Sequence, residues 1–322
     1  MIQVGIIGGA GYTAGELIRL LLYHPDVELR FVNSSSNAGN KLTAVHAGLH
    51  GETDLTFTNN LPLDEIDVLF FCTAHGETKK FLDANKIPEE LKIIDLSQDY
   101  RIASPTHSFI YGLPELNRRA ICKSRFVANP GCFATAIQLA LLPLAKHLML
   151  NNTIHVNAIT GSTGAGVKPS PTTHFSWRNN NISMYKPFEH QHLPEIRQSL
   201  TQLQRSFRSS IDFIPLRGDF TRGIFTTAYM ECKIDLDELK KIYNEYYDDH
   251  SFTFVVDDPL DLKQVINTNK CLLNLQKVEG KLLITSVIDN LLKGASGQAV
   301  HNMNLLFNLE ETVGLHLKAT AL

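Results

Sequence analysis

Cysteine is sparse in this chain of 322 residues: Cys72, Cys122, Cys132, Cys232 and Cys271 are odd in number and form no CxxC pair. That argues against a disulfide framework and against a thiolate zinc site. Net charge is nearly absent, with 30 Lys and Arg against 33 Asp and Glu and no run of five like charges. Without a charged stripe there is no footprint for nucleic acid or anionic lipid, so the expected partner is a small molecule. The longest apolar stretch, residues 134–150, is broken by Gln138, Pro143, Lys146 and His147 and falls short of the ~20 apolar residues that span a bilayer. The chain opens directly on an apolar run, without a basic segment or cleavage site. No secretory signal is therefore expected, and a reducing, cytoplasmic location follows.

What is present is a composition of 43% hydrophobic and 20% charged residues, over a length that favours two domains. The first part alternates expected strands (residues 2–7, 27–32, 68–72 and 91–96) with expected helices (15–23 and 77–84). This is the rhythm of βαβ units and a parallel sheet. A helix over 132–149 ends it. Beyond residue 151 the expected strands are longer (153–160, 210–216, 224–234 and 281–288), with helices at 194–207 and 236–247. These runs predict a mixed or antiparallel sheet covered on one face. The polar stretch 161–193 is long enough to be a functional loop. A last helix, 294–309, is expected to return to the first domain.

Gly8-Gly9-Ala10-Gly11 follows the first strand and opens the first helix, with Tyr12 and Thr13 next. Glycines there let the backbone approach a pyrophosphate at the helix N-terminus, although Ala14 stands where the third glycine of the fingerprint belongs. An NAD site would place an acid at the end of the second strand. This chain offers Ser34, Ser35 and Ser36 between Asn33 and Asn37 instead, neutral donors that suit the 2′-phosphate of NADP. The fold class expected is α/β, a Rossmann-type NADP-binding domain (1–131 with 294–322) plus an α+β catalytic and oligomerisation domain (132–293) with a mixed, largely antiparallel sheet.

Asn129-Pro130-Gly131 delivers Cys132 to the start of a helix, where dipole and free N–H groups favour a thiolate, lowering the thiol pKa from about 8.5 toward neutrality. Such a cysteine is a candidate nucleophile. His190 and His192 stand one residue apart before another helix. They could share a metal, but no thiolate or HExxH motif accompanies them, so no metal is expected. Beside a nucleophilic cysteine a histidine moves protons. That both merely cap the helix or join core hydrogen bonds stays open.

Taken in order, several motifs resemble those of the N-acetyl-γ-glutamyl-phosphate reductases, within the aspartate-semialdehyde dehydrogenase type of fold. They are the glycine turn with Gly15-Glu16-Leu17; Asp95 through Arg101; Tyr111-Gly112-Leu113-Pro114-Glu115-Leu116; Asn129 through Cys132; Gly161 through Gly166; the His190-Gln191-His192-Leu193-Pro194-Glu195-Ile196 segment; Arg222-Gly223-Ile224; and Asp289 through Gly294. The resemblance implies NADPH-dependent reductive dephosphorylation of an N-acyl-γ-glutamyl phosphate to its semialdehyde in arginine biosynthesis. Cys132 would attack the acyl phosphate, phosphate would leave, and the cofactor's hydride would reduce the thioester. His190 would be the acid/base of thiohemiacetal collapse, with His192 the alternative. The resemblance further places Ser162, Gly164, Asn290 and Gly294 at the nicotinamide end and His75 and Gly76 over the adenosine half. It gives Arg101, Asn129, Arg222 and Glu195 to the substrate, with Arg217 a competitor among the arginines, and implies a homodimer or homotetramer.

The family usually carries an Arg between the two histidines, where this chain has Gln191, and a second Arg-Gly pair stands at Arg217-Gly218. The altered charge pattern opens the identity of the N-acyl group, with succinyl the alternative to acetyl. Sister reductases of aminoadipyl or aspartyl phosphate, and a cysteine hydrolase lacking a redox cofactor, are the competing readings.

Overall fold

Strand β1 (Ile2–Ile7) is buried over its last four residues, as befits the centre of a sheet covered on both faces. In this computed structural model, which describes residues 1–320, the chain continues through α1 (Tyr12–Leu21), β2 (Val27–Asn33), β3 (Phe57–Thr58), β4 (Val68–Phe71), α2 (Glu77–Ala84), β5 (Lys92–Asp95), β6 (Ile110–Tyr111), α3 (Pro114–Cys122) and β7 (Phe126–Ala128). Among the described residues the strands form a seven-stranded sheet of order β3-β2-β1-β4-β5-β7-β6, and every pairing is parallel. From β1 the chain winds first toward β2 and β3, then to the other side through β4 and β5. The strand order therefore reverses beside β1, and such a switch point leaves a ligand crevice beyond the carboxyl ends of the strands. Leu69 and Phe71 pack with Ile7, Phe31 and Ile93 to fix that edge.

The second compact unit runs from Gly131 to Gly294. It contains α4 (Cys132–Lys146), β8 (Ile154–Thr160), α5 (Phe175–Arg178), β9 (Ser183–Met184), α6 (Leu193–Leu203), β10 (Ile211–Arg217), β11 (Ile224–Glu231), α7 (Leu236–Tyr247), β12 (Thr253–Val255), β13 (Cys271–Val278) and β14 (Lys281–Ile288). Its sheet, also seven-stranded among the described residues, has the order β12-β13-β14-β11-β8-β10-β9. The β10–β8 and β12–β13 pairings are parallel and the rest antiparallel. Buried and partly exposed residues alternate along β8 and β11, so one face of the sheet makes the core.

Helix α4 is buried from Phe133 to Ala145, with Pro143 inside it. Proline has no N–H for the carbonyl four residues back, which leaves the Leu139 oxygen without its helical partner. The Tyr247 hydroxyl on α7 donates to that oxygen, so the proline that interrupts the apolar stretch is compensated from a neighbouring helix.

Several features depart from the sequence reading, which did not name α3 or the short strands β3, β6, β7 and β12. Strand β13 was not expected; it forms a hairpin with β14 around Glu279 and Gly280, both at positive φ, 48° and 76°. That is the backbone of a type I′ turn, whose usual signal is Asn-Gly or Asp-Gly rather than Glu-Gly. The stretch 161–193 is also not a bare loop, since it contains α5 and the edge strand β9.

Helix α8 (Ser296–Leu306) belongs to the first unit, which comprises Met1–Pro130 and Ala295–His316. From Leu317 the chain groups with the second unit, where the Asn267 amide donates to the Thr320 hydroxyl. Residues 321 and 322, the end of the segment expected to rejoin the first domain, lie outside the described residues. No helix among the described residues is long and apolar enough to cross a membrane.

Candidate active site

In the first unit, the β1–α1 turn is shaped by Gly8, whose φ is +83° and whose absent Cβ would stand 2.7 Å from the Cys72 carbonyl oxygen. Only glycine fits that conformation and that contact. Around Gly11 the situation is the reverse: nothing lies within 4 Å of a Cβ built there. Gly11 is also the N-cap of α1 and offers no side chain to its first N–H groups. An open cradle at a helix N-terminus, next to a switch point, fits a pyrophosphate. Tyr12 and Thr13 follow as the first helical residues.

At the end of β2, Ser34 is buried while Ser35 and Ser36 are exposed. The Asn37 amide donates to the Ser34 and Ser36 hydroxyls, each at 3.0 Å. Lys41, close behind in sequence, is held by Asp54 at 2.8 Å. His75 is exposed, and its Nδ1 accepts from the Gln98 N–H. Gly76 caps α2 without a side chain; the Asp99 carboxylate serves that end, accepting from the Gly76 N–H at 2.6 Å and the Lys79 N–H at 3.1 Å. Asp99 lies within the Asp95 to Arg101 motif, yet nothing in its spacing announced a cap.

Two residues expected at the substrate are committed elsewhere within this unit. Arg101 is buried, its Nε donating to the Asn129 carbonyl at 2.9 Å and an Nη to the Leu96 carbonyl at 3.0 Å. The Asn129 side-chain amide donates to the Ala295 carbonyl and accepts from Asn302. Both shape the loop that precedes Gly131 rather than presenting free polar groups.

In the second unit, Cys132 is the first residue of α4, partly exposed. The Gly131 N–H before it donates to Glu195 Oε2 at 3.0 Å. Glu195 is 2% exposed, so this carboxylate, expected at the substrate, ties the turn before Cys132 to the start of α6. Gly294 packs against the same turn, for a Cβ there would meet the Cys132 Cβ at 2.8 Å. Asn290, four residues earlier, accepts from the Gly223 N–H at 2.6 Å and donates to the Thr163 hydroxyl at 3.0 Å. Three loops are thereby fastened together, including the one that carries Ser162 and Gly164.

His190 is 3% exposed and sits among rings. Phe133, Phe213 and Tyr185 lie edge-on to it at 5.3, 5.4 and 5.7 Å, and His192 at 4.6 Å. Its Nδ1 accepts from the His192 backbone N–H at 3.2 Å, which assigns the proton of the neutral ring to Nε2. Burial, reinforced by the charge of Lys186, pushes its pKa down to about 4. The imidazole is thus neutral at physiological pH and a donor at Nε2. Tyr185, which the sequence reading missed, has its hydroxyl pushed up to about 12, first by burial and then by the nearby Cys132.

Of the arginines, Arg222 grips Asp289 through Nε at 2.9 Å and an Nη at 3.1 Å. Asp289 is fully buried and also accepts from the Asn267 and Leu291 N–H groups. Removing either partner would leave a buried charge unmatched, so Arg222 is structural where it stands. Gln191 is exposed and accepts from Lys186 at 3.4 Å. Among the described residues, no group of three or more His, Cys, Asp and Glu side chains is arranged to hold a metal ion.

A parallel sheet with a glycine turn at its switch point, and a second unit that carries both a cysteine at a helix start and a buried histidine, together define a nicotinamide-dependent dehydrogenase. Family models agree: residues 3–124 match the semialdehyde dehydrogenase NAD binding domain and residues 132–290 the semialdehyde dehydrogenase dimerisation domain. Within that class the chain belongs to the N-acetyl-γ-glutamyl-phosphate reductases. It is 74% identical to the protein of that name from Parabacteroides distasonis and 73% to that from Phocaeicola vulgatus, over 100% of each chain. Among solved structures, aspartate semialdehyde dehydrogenase II from Vibrio cholerae, complexed with ASA, superposes with a TM-score of 0.72 at 14% identity, covering 96% of this chain and 98% of that one. The Candida albicans aspartate semialdehyde dehydrogenase with NADP gives 0.69 at 14% identity, covering 95% and 98%. These structures share the fold.

Proposed function

We propose that this enzyme reduces the γ-acyl phosphate of an N-acylated glutamate, with acetyl as the acyl group, to the 5-semialdehyde, in arginine biosynthesis. The observation that carries the reading is the setting of Cys132: first residue of a buried helix, its turn pinned by Glu195, in the same unit as a neutral His190. The names of full-length relatives above 70% identity supply the substrate class.

The thiolate of Cys132 attacks the acyl carbon, and phosphate leaves to give a thioester on the protein. His190, with its proton on Nε2, donates to the carbonyl oxygen as negative charge gathers there. A neutral imidazole with a depressed pKa polarises a carbonyl without becoming an imidazolium. The acid/base part implied by the resemblance is thereby narrowed to donation at Nε2 and recovery of that proton when the thiohemiacetal collapses. When bound, the reduced nicotinamide supplies the hydride. Gly8, Gly11, Tyr12 and Thr13 would take its pyrophosphate, with His75 and Gly76 at the adenosine half. Ser34, Ser35 and Ser36 favour NADP, because a 2′-phosphate meets hydroxyl donors and no acid there. Gly294 packs against the start of α4, and by the resemblance Ser162, Gly164 and Asn290 would join it at the nicotinamide end, Asn290 tying the loop of Ser162 and Gly164 through Thr163.

A homo-oligomer, dimer or tetramer, is part of the same proposal. It is supported by the matched dimerisation domain and by Phe175, Ile182, Met184 and Phe188, which are 77%, 55%, 55% and 58% exposed in the second unit. A cytoplasmic location accords with five free thiols.

The test is reduction of NADP or NAD by N-acetylglutamate semialdehyde, followed with and without phosphate. Turnover that requires phosphate and prefers NADP supports the reading, and phosphate-independent oxidation contradicts it. A parallel run with N-succinylglutamate semialdehyde decides the acyl group that Gln191 leaves open.

A further inference from the structure

Arg217, at the end of β10, is unlike the other arginines near Cys132. Its guanidinium carbon lies 4.7 Å from the Tyr185 ring centroid, and Tyr185 in turn lies 5.7 Å from the His190 ring and feels the charge of Cys132. The Nε of Arg217 is buried without a hydrogen-bond partner, and among the described residues no carboxylate forms an ion pair with it. The nearest candidate in sequence, Asp219, accepts instead from the Asn180 N–H at 2.6 Å. A second arginine crowds the same place. Arg178 is 6% exposed, donates to the Arg217 carbonyl at 2.7 Å, and has its pKa lowered by burial and then by the charge of Arg217. Lys186, whose charge reaches His190, adds to the positive field.

Two neighbouring guanidiniums, each with an unsatisfied buried Nε, keep an excess of positive charge over the opposing charge that Asp219 exerts on Arg178, and an anion would complete the site. Both Nη groups of Arg178 are taken by backbone carbonyls and the Ser183 hydroxyl, so Arg217 has the greater capacity to bind. The Tyr185 ring lies under the guanidinium carbon, a cation–π contact that restrains an arginine awaiting an oxyanion.

We infer that Arg217, held over the ring of Tyr185, which itself neighbours His190, is the residue that binds an oxyanion of the substrate, a role that Arg222 cannot fill while it holds Asp289. This rests on the acyl phosphate reading above. The oxyanion is either the phosphoryl group or the α-carboxylate, and these share the chemistry of a bidentate guanidinium partner.

The test uses the full-length enzyme with Arg217→Met and Arg217→Lys, assayed in the phosphate-dependent direction with phosphate and semialdehyde varied separately. Loss of a charge-assisted hydrogen bond predicts that Arg217→Met raises one KM by about 10- to 100-fold, with a smaller change in kcat and partial recovery in Arg217→Lys. A rise confined to phosphate assigns the phosphoryl group; one confined to the semialdehyde assigns the carboxylate. Calorimetric titration of inorganic phosphate and of N-acetylglutamate gives a readout that needs no turnover, and if Arg217→Met does not fold, Arg217→Gln takes its place. Both KM values within about twofold of wild type, or a fall in kcat alone with unchanged anion affinity, would overturn the inference. If the wild type shows no phosphate-dependent turnover, the functional reading fails, while the two titrations still decide whether Arg217 binds an anion.

Discussion

Replacing His190 by Asn removes a titrating ring and keeps an oxygen that can accept from the His192 N–H. In the folded protein burial lowers the His190 pKa from 6.5 to about 4, so as pH falls the unfolded chain takes up this proton first. The stabilisation from keeping the ring neutral is therefore intact above 6.5 and is lost progressively as pH falls toward 4. Linkage between those two values predicts that wild type loses about 2 kcal/mol through this one group between about pH 7 and about pH 5. His24 is also lowered by burial, but it is common to both proteins and cancels in the difference. Urea unfolding of wild type and His190→Asn at the two pH values should show the variant losing less stability on acidification, by roughly that amount. An identical pH dependence in both proteins would mean that His190 is not held neutral, and the donor role at Nε2 would lose its basis.

Other expectations are as direct. Gly11→Ala should leave stability near wild type, because the Cβ meets open space, yet weaken NADPH binding by roughly tenfold or more through blocked close approach; binding titration beside a thermal melt checks both halves. Glu195→Ala strands the buried Gly131 N–H and should cost about 1–3 kcal/mol while lowering kcat through a misplaced Cys132, with Glu195→Gln recovering much of the loss. Tyr247→Phe orphans the Leu139 carbonyl that Pro143 leaves free. It should destabilise the protein by about 1–3 kcal/mol in urea unfolding, an effect absent if the carbonyl finds another donor.

The clearest patterns in the sequence became elements with the expected ends. β1, α2, α7 and β14 form over 2–7, 77–84, 236–247 and 281–288, where apolar period and flanking residues agree. β13 escaped because a Glu-Gly turn hides the hairpin that pairs it. Local chemistry was also legible at Cys132, since a Pro-Gly turn before an apolar helix is written within a few residues. What could not be read were partnerships made across the fold. Arg222 is separated from Asp289 by 67 residues, and the Gly131 N–H from Glu195 by 64. A motif shows that such residues recur near a site, but only packing shows which of them are already occupied. Tyr185 and Arg217 are the converse. Tyr185 lies in a polar stretch without a recognisable spacing and Arg217 stood only as one of several candidate arginines; both acquire significance when β9 pairs with β10.

The central claim is a thioester on Cys132, and chemical trapping tests it most directly. Enzyme mixed with the N-acylglutamyl phosphate in the absence of nicotinamide, acid-quenched and digested, should yield the Cys132 peptide carrying the acyl group, and Cys132→Ser should show neither thioester nor reductase turnover. An unmodified Cys132 peptide under conditions where wild type turns over fully once NADPH is added, or an active Cys132→Ser enzyme, would contradict the account.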